Sequence, residues 1–288
     1  MADFQLAEET QIGFVALKVK NLHELTRWYQ EVLGLTVLEQ NDKQVFLGTR
    51  MNQRVLVLLS QISDGESAVG LSGLDHFALL LPNIGALGSA YQQAKAKTDI
   101  SNLFETGYTQ GFAVKDPEGN GIEMVIDHAI EQYQTIGNFD WEDDAQKPMA
   151  EAELLKHHDD DYAGVPSGST IGHIALKVTN INDSADYLVK VLGFAEKASS
   201  TEQEAFLTTG DSHHHIGIEL LAAATANTAG EQTLGLDYVN MLLPSAKPLT
   251  DLMTNLKAQN VTDYDYSEAH QYLRIAGPSN LTLWFSVA

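Results

Sequence analysis

The stretches GFVALKVKNL (13–22) and GHIALKVTNI (172–181) are two versions of one ten-residue phrase, and their recurrence decides the fold. Two more phrases return in the same order. EVLGL (31–35) comes back as KVLGF (190–194), and GLDHFALLLPN (73–83) as GLDYVNMLLPS (235–245). The offsets are 159, 159 and 162 residues. A fixed offset held over separate motifs marks an internal duplication, here into two halves of about 130 residues.

Each half divides again. Module 1 opens with an alternating strand, Ile12–Val19, followed by an amphipathic helix over about 22–33 with Leu22, Leu25, Trp28, Tyr29 and Val32 on one face. Gly34 stops that helix. Short strands follow near 36–40, 44–48 and 54–60. Module 2 repeats the plan: a strand at 74–81, a helix at about 84–97, and strands near 103–107, 111–115 and 121–127, the last two joined by the turn DPEGNG (116–121). Modules 3 and 4 start at 171 and 236. The expectation is an α+β protein of four βαβββ modules. Modules 1 and 2 occupy a domain over 1–128, an acidic connector spans 129–168, and modules 3 and 4 form a second domain over 169–288.

Composition narrows the function classes. The chain has 288 residues, 44% of them apolar, and no cysteine. Disulfides, thiolate zinc sites and cysteine nucleophiles are therefore excluded. The formal net charge is −22 with only 17 Lys and Arg, a poor basis for neutralising nucleic-acid phosphates. No apolar run approaches the length of a membrane span. The N-terminus, MADFQLAEETQ, is acidic and polar, unlike a signal peptide, which together with the lack of cysteine fits a cytoplasmic protein. Homo-oligomer formation stays open.

The module plan, with ALKVKNL, WYQEVLGL and DPEGNGIE, resembles the vicinal oxygen chelate superfamily, which holds glyoxalase I, bleomycin-resistance proteins and extradiol catechol dioxygenases. The resemblance covers nearly the whole chain outside the connector. It implies two domains in which paired modules curl eight strands into a cup around a divalent metal. Within the superfamily the order of GHI, HHHIG, GLDY and DPEGNGIEM is most similar to a Bacillus-type catechol 2,3-dioxygenase subgroup.

Side chains alternate along a strand. If Ile174, Leu176 and Val178 pack on helices, then His173, Ala175 and Lys177 face the cup. The same parity in module 2 presents His76, Ala78 and Leu80. The position of His173 is Phe14 in module 1 and Tyr238 in module 4. Among closing strands, GIEMVI offers Glu123 and GIELLA offers Glu219, where modules 1 and 4 offer Val57 and Thr282. The ligand-type residues thus fall in the inner modules. Pairing module 2 with module 3 collects His76, Glu123, His173 and Glu219 as metal ligands and leaves modules 1 and 4 as a metal-free cup.

The resemblance implies a ring-cleaving dioxygenase acting on a catechol-like small molecule, with Fe(II) at a two-histidine, one-carboxylate site. It makes His214, in HHHIG, the acid/base histidine, and His215 a neighbour lining the pocket. Extradiol members carry a Tyr where this chain has Ala113, with Tyr108 and Tyr272 as other phenols. A four-ligand set including Glu219 is the glyoxalase I alternative, with Ni, Zn or Mn. A binding protein without metal, using Phe14, Tyr238 and Trp284 around a flat aromatic, is the third.

Overall fold

A computed structural model describes residues 4–129, 146–158, 161–197, 201–210, 215–221 and 228–288. Module 1 consists of β1 (Gln11–Val19), α1 (Leu22–Glu31), β2 (Thr36–Gln40), β3 (Gln44–Gly48) and β4 (Val55–Gln61). Module 2 is β5 (Gly73–Leu80), α2 (Ile84–Lys95), β6 (Asn102–Glu105), β7 (Thr109–Lys115) and β8 (Gly121–Asp127). After β9 (Lys147–Pro148) and α3 (Glu151–Leu155), module 3 runs β10 (Thr170–Val178), α4 (Ile181–Asp186, continued by a π turn over Tyr187–Val191), β11 (Ala195–Glu196), β12 (Glu204–Thr208) and β13 (Ile216–Leu220). Module 4 is β14 (Gly235–Leu243), α5 (Ala246–Ala258), β15 (Tyr264–Ser267), β16 (Tyr272–Ala276) and β17 (Thr282–Val287). The fourfold βαβββ plan of the sequence is present. Among the described residues no helix is long and apolar enough to cross a membrane.

The strands form two sheets. Hydrogen-bonded neighbours run β15-β16-β17-β14-β1-β4-β3-β2 in the first and β11-β12-β13-β10-β5-β8-β7-β6-β9 in the second. The first sheet holds modules 1 and 4, the second modules 2 and 3. Within modules 2, 3 and 4 the opening and closing strands are parallel neighbours, and the remaining strands add antiparallel.

By contacts along the chain there are two compact units. One comprises Leu17–Gly65 and His76–Gly172. In it, α1 buries Leu22, Leu25 and Tyr29. The Asn21 side chain accepts the Glu24 amide N–H at 3.2 Å, capping the helix. Gly34, at φ 79, ends it in the left-handed region, with its N–H donating to the Gln30 carbonyl. The DPEGNG turn reaches across to this helix. The Glu118 carboxylate accepts the Lys20 and Asn21 N–H groups at 2.9 and 2.8 Å. Asp116, only 4% exposed, accepts from the Tyr29 hydroxyl (3.1 Å), the Asn120 amide (2.8 Å) and the Glu118 and Asn120 N–H groups (2.9 Å each). Burial pushes the Asp116 carboxyl above the ordinary carboxylate value against the lowering effect of those donors. Burial likewise raises the Tyr29 phenol well above its usual value, so it stays a donor.

The described part of the connector is built into this unit. β9 pairs with β6, and Leu154 of α3 is buried beside α2, where a Cβ on Gly88 would sit 2.8 Å from the Leu154 carbonyl oxygen. From Gln146 onward, the segment expected as an acidic connector carries β9 and α3.

The second unit comprises Met1–Ala16, Glu66–Asp75 and His173–Ala288. Its N-terminal segment is tied down by the Leu6 N–H to the Gly193 carbonyl (2.8 Å) and the Thr209 hydroxyl to the Thr10 carbonyl (3.1 Å). Asn240 on β14 donates to the Trp284 carbonyl and the Ser286 hydroxyl, each at 2.9 Å. Its carbonyl oxygen fills the space over Gly13, where a Cβ would lie 2.1 Å away. The residues at the histidine position of the outer modules, Phe14 and Tyr238, meet edge to face at 5.9 Å between centroids, and Trp284 lies 5.1 Å from both Tyr238 and Tyr272.

Two stability outcomes are expected. Asp116→Ala strands the buried donors of Tyr29 and Asn120 at about 1–3 kcal/mol each. Urea unfolding should therefore show a loss of about 3 kcal/mol, and a loss below about 1 kcal/mol would remove the turn as a stabilising tie. Gly13→Ala should lower the thermal midpoint by displacing Asn240. Combining it with Asn240→Ala should then cost less than the sum of the single changes.

Candidate metal centre

Register decides which polar side chains share a face. β5 and β8 pair Ala78 with Glu123, and His76 with Gly121. His76 and Ala78 lie two positions apart on β5, so His76, Ala78 and Glu123 point the same way. The opposite face carries Phe77, Leu79, Ile122 and Met124, each 0% exposed. Below it, Tyr91 of α2 meets Phe112 of β7 edge to face at 5.3 Å. This apolar side anchors the strands, and the other side is left for chemistry.

On that side His76 is half-buried, and its Nε2 lies 3.6 Å from Oε2 of Glu123. Glu123 is 7% exposed and His173, on β10, 6%. His76, Glu123 and His173 each offer a ligand atom, and these atoms lie within 4.8 Å of one another. Two imidazoles and a carboxylate are a donor set suited to a divalent first-row metal such as iron, manganese, nickel or zinc. The residues present fit the group that the sequence led one to expect.

Beyond these atoms the site has polar and apolar support. The Gln146 side-chain amide donates to Glu123 Oε1 at 3.4 Å, while its own carbonyl accepts from the Asn102 amide at 2.6 Å. Ala78, Phe104 and Val125 form a buried apolar cluster, with Leu80 and Ala113 packed against it. Ala113 pairs directly with Glu123, so the position where extradiol members carry a phenol is here a methyl group. Tyr108 is 2% exposed. Tyr272 belongs to the other sheet, where its hydroxyl donates to Asp265.

The histidine run is only partly within view. His213 and His214 lie outside the described residues. His215 is 8% exposed and stands one step before the Ile174–Ile216 pair, on the same face as His173. The Thr209 N–H donates to His215 Nδ1 at 3.2 Å, with the Thr208 hydroxyl at the same distance. An Nδ1 that accepts an amide N–H leaves the proton of the neutral ring on Nε2.

Glu219 is not brought into the group. It is exposed and pairs with Lys177, four residues along β10 from His173, or roughly 13 Å at about 3.3 Å per residue. The place in module 3 that corresponds to Glu123 belongs to Gly217, which pairs with Ala175. The shared GIE motif hides a two-residue difference in register, which sets Glu219 apart from the group of His76, Glu123 and His173. Gln146 and Asn102 were not anticipated. They lie 23 residues after and 21 residues before Glu123 in polar surroundings, outside any motif.

Comparison with known proteins identifies the family. A family model described as the Glyoxalase/Bleomycin resistance protein/Dioxygenase superfamily matches residues 11–124. The chain is 30% identical over 277 residues to the catechol-2,3-dioxygenase of Bacillus subtilis (strain 168), covering 94% of this chain and 95% of that one. It is 28% identical over 183 residues to biphenyl-2,3-diol 1,2-dioxygenase 3 of Rhodococcus globerulus, covering 60% of this chain and 93% of that one. Among solved structures, a candidate dioxygenase from Bacillus subtilis superposes with a TM-score of 0.63 at 13% identity, covering 99% of this chain and 86% of the other. Glyoxalase I from Zea mays superposes with a TM-score of 0.55 at 13% identity, covering 96% and 92%. The two solved structures share the fold, and the sequence relatives fix the kinship: the chain belongs to the glyoxalase/bleomycin resistance protein/dioxygenase superfamily.

Proposed function

We propose that this protein is a metal-dependent extradiol dioxygenase that cleaves the ring of a catechol-like substrate, with His76, Glu123 and His173 as metal ligands. The observation that carries the reading is the two-histidine, one-carboxylate group with ligand atoms within 4.8 Å. The curated relatives matched across most of their own length are named as dioxygenases of aromatic diols, which supports the substrate class.

Fe(II), when bound, would supply a Lewis acid with open positions for the two catechol oxygens and for dioxygen. Three protein ligands leave room for all three of those atoms. Four ligands, as a glyoxalase I-like isomerase would need, do not, and the pairing of Glu219 with Lys177 speaks against the fourth. The apolar cluster of Ala78, Phe104 and Val125, on the same face as His76 and Glu123, suits the face of an aromatic ring and keeps water away from it.

Proton handling falls to the histidine run. His215, with Nδ1 engaged by the Thr209 N–H, is suited to donate a hydrogen bond from Nε2 and not to act as a base at Nδ1. His214 remains the acid/base residue of this reading, taking a proton from the catechol and returning one as the ring opens.

Anaerobically purified protein should carry about one iron per chain, and should consume oxygen when catechol is added and release a yellow ring-opened product. His173→Ala should lose the metal and the activity while its far-UV circular dichroism stays that of the parent. Glu219→Ala should keep both metal and activity. Nickel or zinc without oxygen uptake, together with metal loss in Glu219→Ala, would replace this reading with the isomerase.

A further inference from the structure

Glu123 has two oxygens with different company. Oε2 is turned to Nε2 of His76 at 3.6 Å. Oε1 accepts from the Gln146 amide at 3.4 Å. Gln146 itself cannot swing its carbonyl toward the site without losing the Asn102 donor, which holds that carbonyl at 2.6 Å. The chain Asn102–Gln146–Glu123 therefore runs in one direction, donor to acceptor at each step.

Both supports come from places fixed by backbone pairing. Asn102 starts β6 and pairs with Ala113, which in turn pairs with Glu123, so Asn102 and Glu123 share a face of the sheet two strands apart. Gln146 immediately precedes β9, and β9 is stitched to β6 through Phe104–Pro148 and Glu105–Lys147. The connector thus brings the Gln146 side chain within hydrogen-bond reach of a carboxylate that is 7% exposed. A nearly buried carboxylate needs such donors, because leaving charge without them is costly.

From this we infer that Gln146 is a positioning residue for the metal centre: oriented by Asn102, it engages Oε1 of Glu123 and directs the carboxylate to present Oε2 alone beside His76. The inference rests on the assignment of Glu123 as a metal ligand. Its consequence is chemical. A carboxylate that offers one oxygen uses one coordination position, and a dioxygenase needs the positions that remain.

The test uses Co(II) as a spectroscopic probe in the full-length protein, with wild type, His173→Ala, Gln146→Ala, Asn102→Ala and the Asn102→Ala/Gln146→Ala double variant. Partners of ligating groups typically contribute about 10–100-fold in metal affinity, so Gln146→Ala should weaken the Co(II) Kd by that factor. Its visible d–d bands should shift, reporting a changed carboxylate, and its thermal midpoint without metal should stay within a few degrees of wild type. Asn102→Ala should change affinity in the same direction by less. The double variant should match Gln146→Ala alone, since Asn102 acts through Gln146. A Gln146→Ala protein with unchanged Kd and unchanged bands overturns the inference. In that case wild type binding cobalt and His173→Ala failing to do so leaves the metal site itself standing. Absence of cobalt binding in wild type overturns both.

Discussion

The pairing of β5 with β8 is the constraint on which the site depends. Side chains alternate along both strands, so Glu123 shares a face with His76 only because it pairs with Ala78. A slip of one residue would turn Glu123 toward the helices and bring Ile122 and Met124 out to the polar face. Those two side chains are now fully buried, and each stabilises the present register by about 1.5–3 kcal/mol relative to exposure. The hydrophobic side of the sheet therefore sets the chemistry on its other side. His76 and Glu123 do not need to specify their own position.

A buried polar device assists the hydrophobic one. The DPEGNG turn sits directly before β8 and fixes where that strand begins. Gly119, at φ 91, takes the left-handed conformation the turn requires, and the Asp116 N–H closes it on the Asn120 carbonyl at 3.0 Å. Asp116 is an expensive residue to bury, tolerated because its oxygens meet four donors. One of these donors is Tyr29, on the helix of module 1. The turn thus couples the start of the strand that carries Glu123 to a helix in the preceding module, and this coupling is polar and directional where the sheet packing is not.

Much of this was legible in the sequence, for a physical reason. Strand alternation has period two, so the cup-facing parity of His76, Glu123 and His173 could be read from the apolar residues between them. The tally of ligand-type residues in modules 2 and 3 pointed to the sheet that now holds both modules. Register was not legible. GIEMVI and GIELLA look equivalent, yet Gly121 pairs with His76 while Gly217 pairs with Ala175, two residues further along its opening strand. Motif similarity aligns letters, but register is set by packing and by the lengths of the intervening turns. Gln146 was illegible because its role depends on the pairing of β9 with β6, a two-residue contact that carries no periodic pattern.

The four copies of one module have resolved the same position in two ways. Phe14 and Tyr238 occupy it in the outer modules, and aromatic rings can be buried against one another with only the tyrosine hydroxyl to satisfy, a phenol that burial pushes up to about 12. His76 and His173 occupy it in the inner modules, accompanied by Glu123, and such groups demand partners. Packing alone would favour the aromatic solution everywhere, since it stabilises the sheet with fewer hydrogen-bonding obligations. A sheet that keeps two histidines and a carboxylate close together, and draws Asn102 and a connector glutamine into supporting them, is working against its own stability at that place. Local sacrifice of this kind, in a fold whose other levels agree with one another, marks the position where function overrides packing.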